Sequence, residues 1–130
     1  MTTTTDGLDE DGIKALVRRF YALALADDLL GPLFRDAIPD LEAHLPVIDD
    51  FWSHALLGTG RYSGTAYTHH THLKVEEAHF DRWIAAFTQA AHETLPEWAA
   101  KKALARAAHM TQSFKMGLLP LPAPGKRTTA

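Results

Sequence analysis

The sequence of 130 residues contains no cysteine. Disulfides, thiolate metal sites and cysteine nucleophiles are therefore excluded together, as is typical of chains in reducing compartments. The chain also lacks any apolar run approaching the roughly 18 residues of a membrane span. Its start, Met1 to Asp6, has neither the basic nor the apolar region of a secretion signal. We therefore expect a cytoplasmic protein without a membrane partner.

Positive charge is scarce and scattered. The chain has 13 lysines and arginines against 16 acidic residues, which leaves a formal net charge of −3 at pH 7. Nucleic-acid recognition requires Lys and Arg clustered on one face, to neutralise phosphates. No such stripe occurs in the sequence, so nucleic acid is not expected as a partner.

Alternating apolar and polar residues, the pattern of a half-buried strand, are missing as well, whereas helical periodicity runs through most of the chain. The length and the 46% hydrophobic content fit one domain with a single core and room for a cofactor. We expect an all-α domain over residues 9–118. It would follow a disordered segment at residues 1–8 and precede a loose, proline-rich tail at residues 119–130.

The first predicted helix begins with acidic residues at Asp9 to Asp11 and ends near Asp27. Its apolar face carries Phe20 and Tyr21, so a phenol is directed toward the core. Without further context, a buried tyrosine usually has its hydroxyl bonded to a backbone carbonyl. A functional interpretation of Tyr21 therefore needs a second observation.

A turn and a short helix are predicted at residues 29–39, because Gly31-Pro32 resets the chain there. Asp40 can cap the next helix. The apolar face of that helix includes His44, and a lone histidine in such a place is more often a core or edge residue than a functional one.

Two more helices are predicted in the second half of the chain. Glu76 and Glu77 open an aromatic-rich helix, and Thr94-Leu95-Pro96-Glu97 predicts a capping box with proline in the first turn of the last helix. Acidic pairs such as Asp49-Asp50 fall on predicted polar faces and indicate solvated charge. Catalysis by paired carboxylates is therefore disfavoured.

The sequence has 8 histidines, and three of them, His69, His70 and His72, follow a glycine-rich turn. Zinc is one candidate, since closely spaced imidazoles suit a divalent metal, although this spacing points the rings to different sides. Haem is the other candidate. It needs one imidazole, an apolar slot lined by aromatic rings and hydrogen-bond donors opposite, and the predicted helices can supply all three.

The pattern Phe51-Trp52-x-x-x-Leu56-Leu57-Gly58-x-x-x-Tyr62-x-Gly64, followed by His70 and by His79-Phe80-Asp81-Arg82-Trp83, resembles the truncated haemoglobins. Within them it is most similar to group III. Phe20-Tyr21, residues 29–34 and Ala37-Ile38 match the same pattern, so the resemblance covers about residues 10–118. It implies a truncated globin-like, two-over-two helical sandwich around haem b, which is iron protoporphyrin IX.

The resemblance assigns the iron ligand to His70 and places Tyr21, His44 and Trp83 on the opposite, distal side. Ala66 and Lys74 depart from it, because family members often have proline there. The remaining positions that the resemblance implies contact the cofactor are Phe20, Phe34, Ile38, Ile48, Trp52, Leu56, Arg61, Tyr62, Leu73, Phe80 and Phe87.

The function implied by the resemblance is reversible binding of dioxygen and of other diatomic ligands such as CO and NO, for oxygen handling or transport. Cyanide and peroxide are further ligands that a polar pocket would favour. The alternative is an enzyme, either a nitric-oxide dioxygenase or a peroxidase-like haem protein. It would need a separate reductase, because a chain of 130 residues has no room for a flavin domain.

A visible absorption spectrum tests the assignment of the iron ligand. We expect His70→Ala to lose haem or to shift the Soret band, because its imidazole is assigned to the iron. His69→Ala and His72→Ala should keep the wild-type spectrum. Haem loss in either of these two variants, with His70→Ala unaffected, would contradict the assignment.

Overall fold

The computed structural model describes residues 6–62 and 75–118, with side chains up to residue 113. No strand occurs in these ranges, and the prediction of an all-α protein is confirmed. The helices are α1 (Glu10–Ala26), α2 (Leu30–Ala37), α3 (Leu41–Leu57), α4 (Glu77–Thr94) and α5 (Glu97–Leu118).

The four long helices form a closed ring of contacts. Helix α1 packs on α3 and α4, and α5 packs on the same two helices, while short α2 lies against α1 and α4. A closed ring of this kind around one core is the arrangement that the two-over-two prediction requires. Within the described ranges, no helix combines the length and apolar character needed to cross a bilayer.

Helix α1 begins where its cap is. The Asp9 carboxylate accepts a hydrogen bond from the Gly12 amide at 3.1 Å, as expected for an N-cap. Residues just before this helix also contact the domain. Leu8 is buried in the core, and the Asp6 carbonyl accepts a hydrogen bond from the Trp98 indole at 2.8 Å.

Helix α2 contradicts the prediction that Gly31-Pro32 resets the chain, because both residues lie in its first turn. Proline is tolerated there, since the first amides of a helix have no partner within it. A Cβ at Gly31 would lie 2.6 Å from the Leu25 carbonyl oxygen. Glycine therefore permits the close approach of α2 to the end of α1.

Helix α3 starts as predicted, with the Asp40 carboxylate accepting from the Ala43 amide at 3.2 Å. Pro46 lies inside this helix, so the Glu42 carbonyl has no intrahelical donor four residues on. The prediction that Asp49 is solvated is wrong. Its side chain is buried, and its Oδ1 lies 2.7 Å from Nη1 of Arg18 on α1, because a buried carboxylate needs a charged partner.

Helix α4 begins after Glu76, whose amide donates to Nδ1 of His79 at 2.9 Å. The predicted opening of this helix by the two glutamates is confirmed. The predicted capping box before α5 is wrong, because α4 extends to Thr94 and α5 begins only at Glu97, so these two residues do not hold the N-cap and N3 positions of α5. The Thr94 hydroxyl donates instead to the Ala90 carbonyl at 2.7 Å. The first bond of α5 runs from the Ala100 amide to the Pro96 carbonyl.

Asp27 fixes the corner between α1 and α2. Its Oδ1 accepts from the amides of Leu29 and Leu30, at 2.8 and 2.9 Å, and from Nη1 of Arg82 on α4 at 3.0 Å. The hydrogen bond from Leu30, followed by those from Leu29 and Arg82, holds the pKa of this carboxyl below its usual range. One carboxylate thus caps α2 and ties it to α4.

We expect Asp27→Ala to lower the free energy of unfolding by about 1 kcal/mol at pH 7, the usual cost of losing a helix cap. Because folding lowers the pKa of Asp27, its contribution is present above the unfolded value of about 3.9 and is lost as the pH falls through the folded value. Urea unfolding at pH 7 and at acid pH should therefore show a difference between variant and wild type that shrinks with acid.

The matched control is Asp28→Ala, which also removes an ion pair with Arg82 but leaves both backbone hydrogen bonds to Asp27. Since Asp28 is exposed, we expect its loss to change the unfolding free energy by about 0.5 kcal/mol or less. Equal losses in the two variants would contradict the capping role of Asp27.

Candidate functional site

A cavity of about 340 Å³ lies between α1, α3 and α4. This volume falls within the range of pockets that hold small molecules and cofactors. Its walls are mostly apolar and rich in aromatic rings. They consist of Val17, Phe20, Tyr21, His44, Val47, Ile48, Phe51, Trp52, Tyr62, Trp83, Phe87 and Met110.

Phe87 of α4 is the centre of the aromatic wall. Its ring stacks on Trp52 of α3 at 4.8 Å and on Trp83 of its own helix at 5.4 Å, the latter pair being nearly parallel with planes 3° apart. Only 1% of Phe87 is exposed. Trp83 and Phe87 are four residues apart, so one helical face presents both rings, and the stack joins α3 to α4.

Phe20 extends this wall onto α1. Its ring meets Trp83 edge-on at 5.3 Å and Phe87 at 5.9 Å, and it contacts Phe34 of α2 at 6.1 Å. Edge-to-face contacts at these distances are the favoured arrangement of aromatic pairs. One ring thereby links three helices at the cavity.

Tyr21 brings a phenol into these apolar surroundings. It follows Phe20 on α1, is itself buried, and has its ring 6.1 Å from the His44 imidazole. Burial raises the pKa of Tyr21 well above its ordinary value, so the hydroxyl stays protonated and can donate. No described residue forms a hydrogen bond with it, in contrast to the backbone bond that a buried tyrosine usually makes.

His44 and Val47 lie where the cavity reaches the surface. Both belong to the first half of α3, and His44 is half-buried. Val47 is 48% exposed although it lines the cavity. The cavity is therefore open to solvent beside these two side chains.

Tyr62 closes the wall beyond the end of α3. Its ring lies 5.1 Å from that of Phe51. The Arg106 guanidinium lies over the Phe51 ring, 5.3 Å from its centroid. Burial raises the pKa of the Tyr62 phenol, an effect that the charge of Arg106 opposes. Gly58 and Gly60 allow the chain to turn back from the end of α3 toward the cavity, because both adopt positive φ angles.

The cavity brings together eight of the residues singled out in the sequence. These are Phe20, Tyr21, His44, Ile48, Trp52, Tyr62, Trp83 and Phe87. Five others lie outside its wall: Phe34, Ile38 and Leu56 pack in or against the adjoining core, Phe80 is buried, and Arg61 forms ion pairs with Glu10 and Asp50. The predicted ligand His70 and Leu73 lie outside the described residues.

Four cavity residues were not predicted as site residues: Val17, Val47, Phe51 and Met110. Val17 and Met110 belong to apolar stripes that the periodicity does reveal. A stripe alone does not tell which of its members face a cavity and which face a neighbouring helix. The periodicity did not identify Val47 as a buried residue, because Val47 lies beside the predicted apolar face of α3 and not on it.

The family model described as bacterial-like globin matches residues 6–116. The chain belongs to this globin family. Its sequence is 27% identical over 113 residues to the group 3 truncated hemoglobin ctb of Campylobacter jejuni subsp. jejuni serotype O:2, covering 83% of this chain and 89% of that protein. The resemblance to group III truncated haemoglobins found in the sequence is thereby confirmed.

The structure of this globin is similar to the crystal structure of the group III truncated hemoglobin from Campylobacter jejuni. The TM-score is 0.79 at 26% identity, and the match covers 89% of this chain and 95% of the other. The helices described above therefore form a truncated globin fold. Globins bind haem and small gaseous ligands, and the family implies both for this protein.

The residues that line the cavity are of the kinds that a haem group requires. A porphyrin requires an extended apolar slot lined by aromatic rings, with few polar groups placed at its ligand side. The stacked wall of Trp52, Phe87 and Trp83 provides the apolar surface, and Tyr21 and His44 are the polar groups.

Unfolding of the haem-free protein tests whether the Tyr21 hydroxyl has a hydrogen-bond partner. We expect Tyr21→Phe to leave the free energy of unfolding unchanged or to raise it by up to about 1 kcal/mol, because the buried hydroxyl has no hydrogen-bond partner among residues 6–62 and 75–113. Urea unfolding of the apoprotein measures this. Phe20→Leu is the control on the neighbouring position and should destabilise by about 1 kcal/mol or more through lost packing.

A loss of about 1 kcal/mol or more in Tyr21→Phe would contradict the expectation, since it would mean that the hydroxyl has a stabilising partner in the apoprotein. The phenol would then not be a donor held in reserve for a ligand.

Proposed function

We propose that this globin binds haem b through His70 and takes up dioxygen reversibly in the cavity, with CO and NO as further ligands. The observation that carries the proposal is the common cavity wall of Tyr21, His44 and Trp83 amid aromatic rings. The ring stacks and the buried phenol give this wall a shape that exists before any ligand enters.

When bound, haem supplies an iron atom with one coordination position for an imidazole and one for a small ligand. His70 is proposed for the first position on the resemblance described above. The aromatic wall of Trp52 and Phe87 would hold the porphyrin by apolar contact and exclude water.

Tyr21 and Trp83 would act as hydrogen-bond donors to the ligand. A ligand that carried partial negative charge in this cavity would be stabilised by such donors, because a hydrogen bond is stronger in a dry pocket than in water. Each hydrogen bond contributes about 1 to 1.5 kcal/mol, which corresponds to roughly tenfold in affinity. The Tyr21 proton is retained at neutral pH, because burial raises the pKa of the phenol.

His44 would serve as a third donor or as a gate. It lies at the open side of the cavity with Val47, so its imidazole stands where a ligand would enter. The same donors would stabilise anionic ligands such as cyanide and hydroperoxide. We place the protein in the cytoplasm, where a separate reductase could keep the iron ferrous.

Stopped-flow release of dioxygen from the reconstituted protein tests this function. We expect the dissociation rate constant to rise about tenfold in Tyr21→Phe and in Trp83→Phe, since each loses one donor to the ligand. The control Trp98→Phe should release dioxygen as the wild type does, because the Trp98 indole donates to Asp6 and does not line the cavity. Equal rates in all four proteins would contradict the donor roles.

The same preparations separate the binder from the enzyme. A stable oxygenated form that yields nitrate rapidly on mixing with NO would favour a nitric-oxide dioxygenase. Multiple turnovers of a reducing substrate with hydrogen peroxide would favour a peroxidase-like protein. Reversible uptake with neither activity is the result expected for an oxygen-binding protein.

A further inference from the structure

A partly buried polar network joins the start of α1 to the end of α3. The two carboxylate oxygens of Glu10 have different partners: Oε2 accepts from the Ser53 hydroxyl at 2.8 Å, and Oε1 accepts from Nη2 of Arg61 at 2.6 Å. Ser53 is 0% exposed, and the Glu10 side chain is only 16% exposed. The network therefore bridges positions 43 and 51 residues apart in the sequence.

The network also holds the residues that follow α3. The Ser53 and Thr59 hydroxyls lie 2.9 Å apart, and Nε of Arg61 lies 3.2 Å from the Asp50 carboxylate. Between these two anchors, the Gly60 amide donates to Nδ1 of His54 at 3.1 Å. Three consecutive residues are thus tied back to α3 or α1.

Tyr62 comes directly after these anchored residues and lines the cavity against Phe51. Its ring contacts that of Phe51 and packs against the core, and its phenol lies within the influence of the Arg106 charge. Because Tyr62 follows Arg61 directly in the chain, the position at which Arg61 is held restricts where the Tyr62 ring can lie. In the sequence, the proposed iron ligand His70 follows eight residues later.

Arg61 does not line the cavity, although the family resemblance assigns it to the cofactor. Its guanidinium is engaged by Glu10 through Nη2 and by Asp50 through Nε. Pairing with a haem carboxylate would compete with these bonds. It would leave the largely buried Glu10 carboxylate without its cationic partner, which is unfavourable.

We infer that Glu10, Ser53 and Arg61 form a latch that positions Tyr62 as a wall of the cavity, so that Arg61 retains haem by holding this wall and not by pairing with a propionate. The inference rests on the proposed haem-binding function. Arg61 is thus a positioning residue whose effect should not depend on the carboxylates of the cofactor.

The test compares haem with its dimethyl ester, which lacks free carboxylates. We expect Arg61→Met to speed the transfer of either cofactor to an excess of a competing apo-globin by about tenfold, the effect of one charge-assisted hydrogen bond. Glu10→Gln should act in the same direction. The double variant should lose little more than Arg61→Met alone, because the two residues form one unit.

Arg19→Met is the matched control. It removes an ion pair with Glu93 of the same 2.6 Å length, between residues that do not line the cavity, and should leave both transfer rates unchanged. An effect of Arg61→Met on natural haem that disappears with the dimethyl ester would overturn the latch in favour of direct propionate binding. Additive effects of the Glu10 and Arg61 variants would overturn it as well.

Hydrogen exchange of the haem-free protein gives a readout that does not involve the cofactor. The Gly60 amide should lose protection in Arg61→Met and keep it in Arg19→Met, with the protection of α4 core amides unchanged. Unaltered protection of Gly60 would contradict the latch. Failure of the wild type to take up haem would instead contradict the proposed function, and the exchange experiment keeps the two failures apart.

Discussion

The structure depends on one aromatic stack, in which the Phe87 ring contacts two indole rings from different parts of the chain. Trp52 reaches it from α3 and Trp83 from the preceding turn of α4. These contacts set the separation of the two helices at the level of the cavity. The apolar wall is therefore built from large rings that contact one another across α3 and α4.

Charged contacts fix the ends of the elements that bear this wall. Asp27 with Arg82 ties the α1–α2 corner to α4, and Glu10 with Arg61 ties the end of α3 to the start of α1. Both carboxylates also accept hydrogen bonds from neutral groups, which gives each ion pair a defined geometry. The aromatic rings thus form the cavity wall, while the two ion pairs fix the ends of the helices that carry it.

The sequence predicted α1 and the start of α3 closely. The signals used there, an aspartate N-cap and the spacing of apolar residues, involve only residues that are near one another in the chain. The same period placed Tyr21 on the buried face. The burial of Asp49 could not be predicted in this way, because its partner Arg18 lies 31 residues away in the sequence. Assigning the distal side needed the family resemblance, since periodicity does not show which buried faces enclose a cavity.

Pro46 has a consequence for the open side of the cavity. Its missing N–H leaves the Glu42 carbonyl without the usual bond, so the turn that carries His44 is attached to the rest of α3 by one backbone hydrogen bond fewer. Local opening of a helix costs less where fewer such bonds must break. Opening of this first turn would widen the cavity at its exposed edge without breaking the ring contacts among Trp52, Trp83 and Phe87.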